Sequence, residues 1–279
     1  MSATFAAAAD PGPLVQPLAR SETASSSRFS FARRAIGPLL LVAAWAASTS
    51  AGLIDPSVLP SPAALGTTIV QLWTEQSLLH QIGVSLTRAV VGGAFGVTLG
   101  LVLGTSAGLF RLGEELLDSL LQMLRTVPFL ALVPLFIVWF GIDETPKLLL
   151  IALATMFPMY LNTYAGVRNV DRKVIEAART FGLDGPRLIR EVVLPLALPS
   201  ILTGLRYALG VSVLVLIAAE QINASAGLGN LLNTAQLYQQ VDVILICIAI
   251  YAMLGIGADL IVRTLERLLM PWRTGVAAR

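Results

Sequence analysis

The chain has 279 residues, of which 56% are hydrophobic and only 13% charged, with a formal net charge of +2. A soluble domain of ordinary make-up carries about 25% charged residues, and a chain with a mean hydropathy of +0.77 must keep an apolar surface as well as an apolar core. A bilayer is the solvent that accepts such a surface, so the composition excludes a soluble enzyme or nucleic-acid binder and implies an all-α integral membrane protein.

In chain order, residues 1–34 are rich in Ala, Ser and Pro without apolar periodicity, and read as a disordered tail. Arg33 and Arg34 then precede "AIGPLLLVAAWAASTSAGL", which has the basic, apolar and small residues of a secretory signal in the right order. Five further apolar segments follow, which favours a retained first helix. About six spans result, at 36–53, 84–110, 126–141, 147–167, 193–219 and 241–262. The third and fourth contain Pro128, Pro134 and Pro158. Proline is tolerated in a membrane where neighbours or water satisfy the freed carbonyls, so these two are expected to face protein or a polar cavity. Between the first two spans, "IDPSVLPSPAALGTTIVQLWTEQSLLHQ" is expected to lie partly along the outer membrane surface as a short amphipathic helix.

Positive charge sets orientation. With a cytoplasmic N-terminus, the inner segments hold Arg20, Arg28, Arg33, Arg34, Arg111, Arg125, Arg168, Arg172, Lys173, Arg179, Arg187, Arg190, Arg263, Arg267, Arg273 and Arg279, sixteen of the 19 basic residues. Only Lys147 falls in an outer loop, while Arg88 and Arg206 lie at or within spans. Both termini are therefore expected in the cytoplasm.

Few side chains offer chemistry. Cys247, the single cysteine, sits in "VILICIAIYAML" and reads as a small buried hydrophobe; with His80 the single histidine, no metal site is expected. Neither lysine stands in the Gly-Lys-Ser/Thr setting of a P-loop, so the chain is expected to bind no ATP in that way and to hold no catalytic residues. Gly92, Gly96, Gly100, Gly104 and Gly108, four apart in the second span, form one ridge without side chains. Such a ridge suits close helix packing, or alternatively a sliding or pathway-lining surface. Arg206 falls near mid-membrane, where an ionisable group meets an anionic solute, satisfies carbonyls freed by Pro195 and Pro199, or pairs across helices. Glu220, followed by Gln221 and Asn223, ends the fifth span on the outer side as a candidate gate residue or contact for an external partner; a carboxylate there would repel an anionic substrate. Asp259 and Arg263, four apart, read as a helix-stabilising ion pair.

The charged segment "EAARTFGLDGPRLIREVVLPLALPS", residues 176–200, lies between two long apolar runs. "DRKVIEAARTF" suits a helix that Gly182 ends in left-handed geometry, and "DGP" suits a new start, with Asp184 or Gly185 capping and Pro186 in the first turn. A short second helix is then expected before Pro195 and Pro199 lead into the membrane. The result is a helix–hinge–helix knob suited to a partner's groove, where an ordinary solvated connector is the plainer alternative. Glu176, Ala177, Ala178, Gly182, Val192, Leu194 and Pro195 match Glu-Ala-Ala, three residues, Gly, nine residues, an aliphatic residue, one residue, Leu-Pro. This resembles the EAA loop of permease subunits in binding-protein-dependent ABC importers, with valine where isoleucine is frequent. "RTVPFLALVPLFIVWFGIDETPK", "LPLALPSILTGLRYALG" and "AAEQINASAGLGNLL" are similar to the subfamily that imports aliphatic sulfonates, taurine or nitrate.

That resemblance implies a type I, MetI-like permease fold over residues 35–273, with a coupling loop at 170–195 and a short cytoplasmic tail at 274–279. It implies a bacterial plasma-membrane homodimer, two separate ATPase subunits that hold ATP and magnesium, and an extracytoplasmic solute-binding protein. Glu176, Ala177, Ala178, Gly182, Asp184, Leu194 and Pro195 would form the surface that docks on the ATPase. The implied cargo is a small organic anion, foremost an aliphatic sulfonate, with nitrate, taurine or a thiamine precursor as alternatives. A stand-alone secondary transporter or channel would predict paired carboxylates or internal repeats within the spans, and the sequence has neither.

Overall fold

The computed structural model describes residues 27–271 apart from 76, 111–112, 114, 117–118 and 222–223. Among these residues all regular structure is helical. The first helix, α1 (Ser27–Ser50), begins earlier than expected. "SRFSFARR" contains neither glycine nor proline, so nothing stops the helix at the first apolar residue. The rest of the expected tail, 1–26, and the terminal segment 274–279 lie outside the described residues. After α1 the chain forms α2 (Pro62–Glu75), the short helix expected between the first two spans. Then come α3 (Leu78–Leu109), α4 (Ser119–Arg125), α5 (Val133–Phe140) and α6 (Glu144–Arg168). The chain continues with α7 (Arg172–Thr180), α8 (Gly185–Gln221), α9 (Leu228–Leu237) and α10 (Val241–Leu269).

Among the described residues four helices, α3, α6, α8 and α10, are long and apolar enough to cross a membrane. Two shorter apolar helical segments, Leu39–Ser50 and Phe129–Phe140, accompany them. Among the described residues, four helices of full crossing length and two shorter apolar segments are compatible with the six expected spans. The third is a 3-10 turn, Phe129–Leu132, running into α5. It is short because Pro128 and Pro134 bracket that turn and Gly141, at φ +82°, ends α5.

Helix α6 is the axis of the fold. Of its most apolar stretch 56% is buried inside the protein, against 28% for α3, 33% for α8 and 22% for α10. Helices α3 and α8 pack along it, α10 packs on α8, and α9 wedges between α3, α8 and α10. Pro158 lies inside α6 without ending it, and Asn162 Nδ2 donates to the Pro158 carbonyl at 2.8 Å. A large apolar cluster around Leu150, Leu216, Leu228 and Cys247 fills the end of the bundle near α9. A second, around Val167, Val193 and Ala197, fills the end near α7.

The glycines of α3 set the α3–α6 separation. A β-carbon at Gly96 would collide with Ala152 O and Thr155 Oγ1, and one at Gly100 would lie 2.5 Å from Met156 O. At Gly92, Gly104 and Gly108 the nearest atoms would be Ile151 Cβ at 2.9 Å, Tyr160 O at 2.7 Å and Val167 Cγ1 at 2.7 Å. The ridge therefore lies against the backbone and Cβ-level atoms of α6, an approach that only the absence of side chains permits.

The expected break before Pro195 is absent. The segment Gly185–Leu188 is α-helical, Ile189–Val193 forms a π-helical turn, and Leu194–Gln221 continues as α-helix with Pro199 inside it. A π turn widens the helix by one residue. Placed just before Pro195, it accommodates the ring and the missing N–H that would otherwise break the ladder.

Candidate functional site

Local chemistry builds the loop between α6 and α8. Asp171 caps α7, its Oδ1 accepting from the Lys173 backbone N–H at 2.9 Å. At the other end Leu183 N–H donates to Ala178 O at 3.2 Å and Gly182 N–H to Arg179 O at 2.9 Å. These are the paired bonds of a Schellman motif, which needs a left-handed residue, and Gly182 supplies it at φ +80°. Asp184 stands at the N-cap of α8 in extended geometry without a side-chain cap bond, and Pro186 occupies the first turn. Glu176, Ala177, Gly182 and Asp184 are exposed, whereas Ala178 turns inward and Leu194 and Pro195 are half-buried in α8. Phe181, at the turn, is 86% exposed. The loop is a rigid, solvent-facing knob fused directly to a membrane helix.

At the opposite end of the bundle lies a polar network that sequence reasoning missed. Arg88 of α3, 4% exposed, makes paired bonds of 2.6 Å to both carboxylate oxygens of Glu144 in the first turn of α6. Its Nη1 also donates to Glu220 Oε1 at 2.7 Å and to Ala226 O at 2.6 Å. Glu220, fully buried, accepts in addition from Ser85 Oγ at 2.7 Å, from the Gly229 N–H at 2.9 Å and from Tyr251 Oη at 3.2 Å. The Gly229 amide belongs to the first turn of α9, where a carboxylate is electrostatically favoured. Ser85 Oγ accepts from Leu228 N–H at 2.8 Å, Gln81 Oε1 accepts from Gly227 N–H at 2.6 Å, and Lys147 Nζ donates to Glu144 at 3.1 Å. Two cations and two anions, all but Glu144 buried, therefore join α3, α6, α8, α9 and α10. Gly227 is at φ +116°, and a β-carbon there would lie 2.6 Å from both Arg88 and Glu220. The sequence singled out Glu220 and noted Arg88 within a span. The available signal was their pairing, a lone cation and a lone carboxylate ending two spans on the same side. Asn223 lies outside the described residues.

Arg206 lies near the middle of α8, about 21 Å along the helix from Glu220 at helical rise. Its Nε lies 3.2 Å from Asp259 Oδ1 and its Nη2 2.9 Å from Glu266 Oε2 on α10. Asp259 also pairs with Arg263 at 2.6 Å, the expected i,i+4 pair. These side chains are partly exposed within the chain, from Glu266 at 28% to Arg263 at 62%, with Arg206 at 41%. Charges so exposed in an apolar segment must face water or protein rather than lipid.

Comparison with known proteins fits this geometry. The family described as "Binding-protein-dependent transport system inner membrane component" matches residues 96–270. The putative aliphatic sulfonates transport permease protein SsuC of Escherichia coli K12 is 47% identical over 84% of this chain and 89% of its own. The Bacillus subtilis 168 protein of the same name is 40% identical over 88% and 89%, and the E. coli K12 taurine transport system permease protein TauC 37% over 85% and 88%. Among solved structures, an inward-facing form of the MetNI methionine ABC transporter superposes with a TM-score of 0.57 at 20% identity, over 68% of this chain and 96% of that one. A likeness at that identity establishes the fold. The chain belongs to the family of inner-membrane components of binding-protein-dependent transport systems, as a multi-pass membrane protein of the MetI-type permease fold.

Proposed function

We propose that this chain is the permease subunit of an ATP-driven importer that brings a small organic anion, foremost an aliphatic sulfonate, into the cytoplasm. The solute class rests on the two relatives named for aliphatic sulfonates, at 47% and 40% identity over most of both chains. Taurine, itself an amino-sulfonate, is the second cargo, favoured by the relative at 37%. Two copies of the chain form the pathway with both termini cytoplasmic, two ATPase subunits bind ATP and magnesium, and an extracytoplasmic binding protein delivers the solute.

The observation that carries the coupling role is the exposed Glu176–Ala177–Phe181 surface, held by a capped helix and a Schellman turn and fused to α8. A partner closing on this knob moves α8 without an intervening flexible joint. Arg206, paired with Asp259 and Glu266 in the middle of the lever, is the group with which a passing anion would interact. Reconstitution in vesicles tests the reading: sulfonate uptake is expected only with ATP, the ATPase and the binding protein together. Uptake by this chain alone, without ATP, would refute it.

A further inference from the structure

The transport reading does not use the interruption between α4 and α5, where Thr126, Val127 and Pro128 are non-helical. Pro128 causes it, because proline lacks an N–H and drives the residue before it out of the helical region. The last turn of α4 closes on itself, with Thr126 N–H donating to Met123 O and Val127 N–H to Leu124 O, both at 3.1 Å. The following 3-10 turn opens with Ala131 N–H donating to Pro128 O at 2.9 Å. Among the described residues no backbone N–H donates to the Thr126 or Val127 carbonyl. Thr126 and Pro128 are exposed.

Depth makes this interruption costly. Phe129, the next residue, stacks on Phe157 with ring centroids 5.8 Å apart, and Phe157 lies midway along α6. That helix has 25 residues and is about 37 Å long, so its middle falls near the centre of a hydrocarbon core about 30 Å thick. Lipid offers no donor to a free carbonyl, and irregular backbone at that depth is tolerated only against protein or water. Two polar features of neighbouring helices share the level. Pro158 lies inside α6, and Gly204 of α8 packs on the Pro158 carbonyl and Asn162, which brings Arg206 within a turn of the same depth. Arg206, partly exposed, also requires water or protein rather than lipid. Water is the one solvent that answers both the carbonyls and the guanidinium. We infer that Thr126, Val127 and Pro128 line a water-filled route at the centre of the bilayer, open to a small sulfonate-bearing anion. The carbonyls hold water there, and the charge that an anion needs comes from Arg206. The inference deepens the transport reading by naming a wall of the pathway, and rests on it for the identity of the solute.

The test is the labelling of single cysteines by 2-sulfonatoethyl methanethiosulfonate. This reagent is itself an alkanesulfonate, does not cross lipid, and attacks thiolate, the form that a thiol takes in water. The chain's own cysteine is the buried Cys247, so each variant also carries Cys247→Ala. The full chain is assembled with its ATPase in vesicles, with reagent on both faces. Thr126→Cys is expected to label at least about tenfold faster than Val102→Cys. Val102 is exposed on the face of α3 opposite the glycine ridge, near the depth at which Gly100 meets Met156 and Tyr160. Leu130→Cys, exposed on the turn after the break, is expected to follow Thr126→Cys and carries the test if that variant does not assemble. Labelling of both at the Val102→Cys rate would overturn the inference. So would an inter-chain disulfide between two Thr126→Cys copies in place of labelling, which would assign the break to contact between copies. Absence of ATP-driven uptake by the native assembly would refute the transport reading alone, because the labelling rate reads water at the break and not the cargo.

Discussion

Replacing Glu220 by glutamine tests the buried network most sharply. In the native protein Glu220 is fully buried and accepts from Ser85, Arg88, Gly229 N–H and Tyr251. Glutamine keeps the shape but removes the charge and one acceptor oxygen, so Arg88, itself 4% exposed, keeps Glu144 and the Ala226 carbonyl but loses the Glu220 charge. Breaking a buried pair by neutralising one partner costs about 3–5 kcal/mol, most of it the uncompensated charge that remains. Glu144→Gln removes the other partner, but Glu144 is 47% exposed, so water can replace part of what is lost. Its cost is expected near 1 kcal/mol. Reversible unfolding in mixed detergent micelles with increasing SDS reads both values. The double variant Arg88→Met/Glu220→Met should be more stable than Glu220→Met alone, because it removes the orphaned cation as well. Equal losses for Glu220→Gln and Glu144→Gln, or no recovery in the double variant, would refute the assignment of Glu220 as the acceptor that holds this end of the bundle together.

Three further outcomes follow from the geometry. Gly96→Ala is expected to destabilise by about 1–3 kcal/mol through overpacking against Ala152 O and Thr155 Oγ1, whereas Gly93→Ala, whose β-carbon meets nothing within 4 Å, should be neutral or slightly stabilising in the same SDS assay. Gly182→Trp or Glu176→Arg should leave the chain inserted and folded but abolish solute-stimulated ATP hydrolysis in the reconstituted assembly; normal stimulation in both would contradict the docking role. Arg206→Gln should change stability by no more than about 1 kcal/mol, because its pairs are half-exposed, yet lower sulfonate uptake measured in vesicles; unchanged uptake would remove Arg206 from the pathway.

What the sequence discloses follows from the distance over which each feature is decided. The turn after α7 is written within a few residues: Asp171 caps, Gly182 reverses and Pro186 restarts, and each acts on backbone no more than five positions away. The glycine ridge was legible as a smooth surface, but its partner was not, because the contacts with Ala152, Met156 and Tyr160 are set by tertiary packing. Arg88 lies 56 positions from Glu144 and 132 from Glu220, a separation at which no periodicity carries information. The two local expectations that failed did so for a common reason. At Ser27 and at Pro195 the helix continued past a residue or a composition change taken as a stop, in the second case because a π turn absorbed the proline.

The two ways in which α8 is held then constrain how it can move. Its 37 residues, unbroken from the knob to Glu220, span about 55 Å at helical rise. At the Glu220 end α8 is tied to its neighbours by a fully buried carboxylate with four donors, Ser85, Arg88, Gly229 N–H and Tyr251, and unpairing it would leave a desolvated charge. Near the middle, Arg206 is held to α10 only by half-exposed pairs, each worth about 0–1 kcal/mol. If a partner drives the Gly182 turn as proposed, the load would be relieved first where Arg206 meets Asp259 and Glu266, with the Arg88–Glu220 end as the pivot. The group that such a motion would release is a guanidinium at mid-helix. For a transporter whose cargo is a sulfonate, the same displacement that opens the bundle would expose the charge that the cargo can answer.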